Sequence, residues 1–238
     1  MALVSGTTIN IDTESKGSAT ATSVTVSHAV NAANNQMLIV QAFADFNVAG
    51  NITGVTYGGV AMTRIDLQDS GRIGAWYLLN PSAGTANIVV SQSVSRTVIA
   101  FGTSVQGVSN SPPFGFTAYA ATGTAPFGVA CQSSGGYVVL EVSGDSGGTT
   151  TWTAAGAQTA STVETLGTVS AVKGIAPGNF SAAMTWSVSG QNLPRNLGFS
   201  VFPINVTYPP SRRRSTIALT ADPSDQDYKS ELTLLRWF

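Results

Sequence analysis

The sequence predicts an all-β protein: an antiparallel β-sandwich of jelly-roll-like form, followed by an extended C-terminal arm. Three observations carry this expectation. Apolar and polar residues alternate with a period of two along most of the chain, as half-buried strands require, and helical periodicity is nearly absent. Gly, Pro, Asn and Ser interrupt that alternation roughly every 8 to 15 residues, the spacing of turns in sandwiches. Charged residues make up only 10% of the chain, far below the usual share of about a quarter. Ser, Thr, Gly, Ala, Asn and Gln take their place. Such a neutral polar surface suits a folded β protein, because disordered chains favour high net charge.

Taken in order, residues 1–21 read as an N-terminal segment and 22–210 as the sandwich domain. "ATSVTVSHAV" alternates through Val24, Val26 and, less strictly, Val30. "MLIVQAFADF" is a longer apolar run, expected as a central strand covered on both faces. "ITGVTYGGVAMTRI" reads as two strands joined at Gly58-Gly59, residues that accept the positive φ angles of a primed turn. "RIGAWYLL" places Trp76 and Leu78 on one face, with Ala75, Tyr77 and Leu79 on the other. Further strands are expected at "ANIVVSQS", "TVIAFGTSV", "GYVVLEVSG", "TLGTVSAVKG", "NFSAAMTWSV" and "NLGFSVFPI". Trp186 reads as core. Trp152, after a Gly/Thr loop, reads equally as core or as a glycan contact.

Composition changes once. Nine of the 23 charged side chains fall in residues 211–238, beyond the stiff Tyr208-Pro209-Pro210 hinge. This C-terminal arm is too short to own a core. It is expected to cover its own sandwich edge or to grip another chain. In the second case Arg212, Arg213 and Arg214 would meet an acidic surface, and Leu234, Trp237 and Phe238 would serve as apolar anchors.

Several function classes are disfavoured. A net charge of −1 gives no field to steer nucleic acid or an anionic membrane. No stretch approaches the ~20 apolar residues of a membrane span, and the N-terminus lacks a secretory pattern. The single cysteine, Cys131, cannot form an intrachain disulfide and is expected to be buried and inert. One histidine and one cysteine cannot build a zinc site. Asp222, Asp225 and Asp227 lack the glycine and glutamate of a calcium loop. No cofactor is expected.

The string Gly144-Asp145-Ser146-Gly147-Gly148 matches the surroundings of the nucleophilic serine in chymotrypsin-like proteases. An acyl-transfer triad also needs a base and a carboxylate to orient it. His28, one of Asp45, Asp66 or Asp69, and Ser146 give the right order, yet any early histidine would do so. The Ala-Ala-His-Cys setting is missing, and Thr149 stands where a proline commonly follows the second glycine. The string therefore reads as a strand entering a Gly/Ser-rich loop. Glu141 with Asp145, or Asp66 with Asp69, could be cast as glycosidase pairs. They read instead as solvated loop or edge-strand residues. No catalytic centre is expected.

The strand order carries a resemblance. Val55 to Gly59 ("VTYGG"), Trp76 to Leu78 ("WYL"), Pro81 to Thr85 ("PSAGT") and a closing strand ending at Pro203 together resemble a β-sandwich module of bacteriophage virion structural proteins, also seen in bacterial surface proteins. The resemblance covers about residues 22 to 204 and brings no catalytic residues. It implies a virion structural protein made in the host cytoplasm, most simply a capsid decoration (cement) protein. Its partners would be capsid or other virion proteins and further copies of itself, for instance in a trimer. The alternative is a tail-fibre or receptor-binding module that reads cell-surface glycans through loops around Asn47–Thr53, Ser109–Phe116 and Ser143–Trp152.

Overall fold

The computed structural model describes residues 9–204, apart from 111–112, 122–126, 134–135, 149–150, 157, 179–180 and 190–193. The chain divides into two units, Met1–Val206 and Thr207–Phe238, and all described residues lie in the first. That unit is an antiparallel β-sandwich. The first half of the chain builds one sheet from β1 (Asn10–Val30), β2 (Gln36–Ala44), β3 (Ile52–Tyr57), β4 (Val60–Ala61), β5 (Thr63–Gln68), β6 (Ile73–Leu79) and β7 (Gly84–Gln106). Its order is β4-β3-β7-β2-β6-β5, with β1 along the other edge of β7.

The second half builds two more sheets. Its strands are β8 (Phe114–Ala121), β9 (Phe127–Gln132), β10 (Val138–Ser146), β11 (Thr151–Ala154), β12 (Thr159–Leu166), β13 (Val169–Pro177), β14 (Ser181–Ser189) and β15 (Arg195–Val201). They assemble as β12-β13-β10-β15-β8 and β11-β14-β9. The main core lies between the first and second sheets, where Met37, Ile39, Phe43, Ile73 and Phe101 meet Leu140, Val142, Ala171, Leu197 and Phe199. The other face of the second sheet packs on the third through Cys131, Val139 and Met184, and through Trp152, Val172 and Trp186.

The β1–β7 ribbon doubles back on itself. Its register runs from Asn10↔Gln106 to Val30↔Gly84, with a shift between Ala21 and Ser23. A Cβ placed on Gly17 would lie 2.8 Å from Cγ2 of Val26, a residue of the same strand. One placed on Gly102 would lie 2.5 Å from Cδ1 of Ile88. Nine residues of straight strand would span about 30 Å, so the ribbon must fold over.

The fold comes where β7 changes partners, from β3 over residues 88–92 to β2 over 98–106. Arg96, buried there, donates from Nη1 to the carbonyls of Asp45 (3.3 Å), Val48 (3.1 Å) and Gly50 (3.0 Å), and from Nε to Gln92 Oε1 (3.0 Å). Gln92 in turn donates to the Ala21 carbonyl. The folded sheet thus encloses a second core, with Val24, Leu38, Val40, Val55, Trp76, Ile88 and Val90 inside.

Several expectations are met. β2 is buried along its whole length. Gly58 and Gly59 have φ of 54° and 83°, as a primed turn needs. Trp76 and Leu78 face the second core, whereas Ala75, Tyr77 and Leu79 face the first.

Others are corrected. Residues from Asn10 onward belong to β1 and not to a separate segment, because a partly exposed strand at the sheet margin needs only backbone partners and little apolar alternation. "ANIVVSQS" and "TVIAFGTSV" form one bent strand, β7, not two. Gly144, Asp145 and Ser146 lie within β10 and are fully buried, not in a loop. Glycine is required at 144 because any Cβ would overlap the ring of Phe43 on the facing sheet.

Candidate functional site

His28 lies in β1 of the first sheet, whereas Ser146 ends β10 of the second. His28 Nδ1 bonds the Ser15 hydroxyl at 2.7 Å, and Nε2 bonds the Ser104 hydroxyl at 2.8 Å. Ser146 Oγ accepts the Phe46 amide at 3.3 Å, and the neighbouring Asp45 amide bonds the Thr97 carbonyl. Thr97 and Ser104 are seven residues apart on the straight part of β7, about 23 Å. These residues therefore do not come together as a triad. Burial, then the Lys173 ammonium, push the His28 pKa down to about 4, so the ring is neutral at pH 7.

The carboxylates are placed as structural groups. Glu141 and Asp145 are fully buried, overturning their reading as solvated residues. Glu141 points at the third sheet, where Trp186 Nε1 donates to both its oxygens at 2.8 Å and the Ser143 hydroxyl donates to Oε1. Burial outweighs those bonds and pushes its pKa up to about 8. Asp66 accepts from Gln68 Nε2 and the Leu67 amide. Asp69 pairs with Arg195 Nε at 3.1 Å, and that guanidinium lies 4.9 Å from the centre of the Phe46 ring. Lys173, also buried, reaches Glu14 at 2.5 Å and the Thr103 hydroxyl at 2.6 Å, tying the second sheet to the first. Cys131 is buried as expected, and burial, with the Glu141 charge adding, raises its thiol pKa to about 12. Among the described residues no cluster of three or more metal-ligating side chains occurs.

Trp152 is only 7% exposed. Its Nε1 donates to Ser170 Oγ at 2.6 Å, and its ring meets Trp186 edge-to-face at 6.1 Å. A ring so covered offers no platform for a sugar. Arg212, Arg213, Arg214, Leu234, Trp237 and Phe238 lie outside the described residues.

A concavity lies in the wall of the folded first sheet. β3 and β4 pair at Thr56↔Ala61 and Tyr57↔Val60, and the Met62 amide still bonds the Val55 carbonyl at 2.9 Å. The two arms then part, because β5 turns away to pair with β6. They close again at Gly71, where a Cβ would meet Asn51 Cβ at 2.5 Å. Between these closures lies a basin of about 770 Å³. Ile52, Val55, Met62 and Trp76, all buried, form its floor, and exposed Asn51, Thr53 and Arg64 form its rim. A second hollow of about 490 Å³ lies beyond the closure, against Gln68 to Arg72. There Asp69, Ser70 and Gly71 all have left-handed backbones, with φ of 50°, 54° and 83°.

Asn51 and Thr53 belong to a loop expected to contact ligand. Arg64, Met62 and Trp76 were not legible as site residues, because only the parting of two strand arms brings them to one opening. No protein-family model, curated protein or solved structure matches the chain.

Proposed function

We propose that this chain is a non-enzymatic structural protein of a bacteriophage virion, most simply a capsid decoration protein that docks on neighbouring subunits. The observation that carries this reading is where the charges go. Among the described residues charged side chains are few, and Arg96, Glu141, Asp145 and Lys173 lie in the interior, leaving a charge-poor exterior there. A surface with so little charge lacks the repulsion that keeps copies and partners apart. The likeness of "VTYGG", "WYL" and "PSAGT" to virion sandwich modules points the same way. The C-terminal arm, with Arg212 to Arg214 and the Leu234, Trp237 and Phe238 anchors, would supply the grip.

A second reading, a tail-fibre or receptor-binding module for glycans, is favoured by the basin between β3 and β5. Immunogold labelling of particles from the producing culture separates the two. Label over the capsid supports decoration, and label on tail or fibre supports receptor binding. Particles free of label refute both.

A further inference from the structure

We propose that the basin between β3 and β5 binds an acidic pyranose, a sugar ring carrying a carboxylate, with Arg64 as the carboxylate's partner. This rests on the glycan-recognition reading and names its site and ligand class. The basin's volume, about 770 Å³, fits a short stretch of glycan. Its floor of Val55, Met62 and Trp76 offers an apolar surface to the C–H face of a ring. Its walls are the facing edges of β3 and β5, joined to each other only near the β3–β4 turn, where the last bond is that of the Met62 amide to the Val55 carbonyl. Among the described residues β3 pairs with β4 only at residues 56–57, and β5 pairs only with β6. Unpaired edges present alternating N–H donors and C=O acceptors, which match hydroxyls that both give and accept hydrogen bonds.

Arg64 specifies the acid. Among the described residues it is the one charged residue lining the basin, it is exposed, and it stands opposite Trp76 in the β5–β6 register. Neither it nor the side chains of Asn51, Thr53 and Thr56 make a hydrogen bond or ion pair among the described residues. By contrast, Arg96, Arg72 and Arg195 each meet protein oxygens. A guanidinium left unmatched beside an amide and two hydroxyls suits bidentate recognition of a carboxylate. Neutral sugars would use the same floor and edges and forgo that pair.

The test is titration of the full ¹⁵N-labelled chain with methyl glucuronoside and methyl galacturonoside, beside the matching neutral methyl glycosides. The expected result is uronoside-dependent shifts at Asn51 to Thr56, Ala61 to Arg64 and the Trp76 indole N–H. Arg64→Gln should weaken uronoside binding roughly tenfold or more, as loss of a charged pair does, and leave neutral glycosides unchanged. Arg64 is exposed, so the variant should keep its fold, and its spectrum away from the basin checks this. Shifts from neutral glycosides of equal affinity would overturn the assignment of an acidic sugar while leaving glycan recognition standing. Shifts confined to another surface would overturn the basin, and no shift from any glycoside would overturn the proposal and the glycan reading together.

Discussion

Raising the pH should loosen the third sheet from the second, and Glu141→Gln should remove that effect. In the native chain the Glu141 carboxyl, buried against Trp186 and Ser143, has a pKa of about 8, against 4.5 for the free side chain. Between those values the native state holds a proton that the unfolded chain has released. Stability therefore falls as pH rises, by about 1.4 kcal/mol per unit, to a total of roughly 5 kcal/mol by pH 8. His28 acts in the opposite sense. Its native pKa of about 4 lies below the free value of 6.5, so the unfolded chain takes up an extra proton as pH falls through that window. This costs roughly 3 kcal/mol by pH 4. From pH 4.5 to 6.5 the two slopes cancel. Stability should be level there and fall on both sides. Urea unfolding followed by tryptophan fluorescence at each pH would trace the curve. In Glu141→Gln, which keeps an acceptor for the Trp186 N–H, the alkaline limb should vanish and the acid limb remain. An alkaline limb that survives in the variant, or a wild-type curve level from pH 6.5 to 8, would refute the reasoning.

Arg96→Met should cost about 3–5 kcal/mol in urea unfolding, because the carbonyls of Val48 and Gly50 lose their donor at the ribbon's fold. A loss below about 1 kcal/mol would show that Arg96 does not hold the bend. Gly144→Ala should cost about 1–3 kcal/mol by overpacking against Phe43, and Phe43→Leu should recover part of that loss, measured by a double-mutant cycle. Cys131 should resist thiol reagents at about pH 8 in the native chain and react in urea, since its pKa is about 12 and its side chain is buried.

The sequence made the local features legible and hid the long-range ones. "MLIVQAFA" announces a strand covered on both faces, and Gly58-Gly59 announces its turn, because both are written in consecutive residues. The doubling back of β1 and β7 leaves no such trace. Alternation in a strand is the same whether or not it folds over, and the fold is held by Arg96 reaching carbonyls some 46 to 51 positions away. The Gly144 to Ser146 string misled for a related reason. Its small residues answer a phenyl ring on another sheet, whereas local rules read them as a loop. The basin was half legible: Asn51 and Thr53 stood in a polar loop, but Arg64 joined them only through the parting of β3 and β5. Burial of Glu141 and Lys173 was not legible, since their partners Trp186 and Glu14 are distant in sequence.

Sedimentation velocity of the full chain beside a chain ending at Pro210 tests the proposed assembly role most directly. A virion structural protein with a charge-poor sandwich and a gripping arm should sediment as a defined oligomer. The shortened chain, which retains every described strand, should remain folded and sediment as a monomer. Two folded monomers across the concentration range would contradict the assembly role.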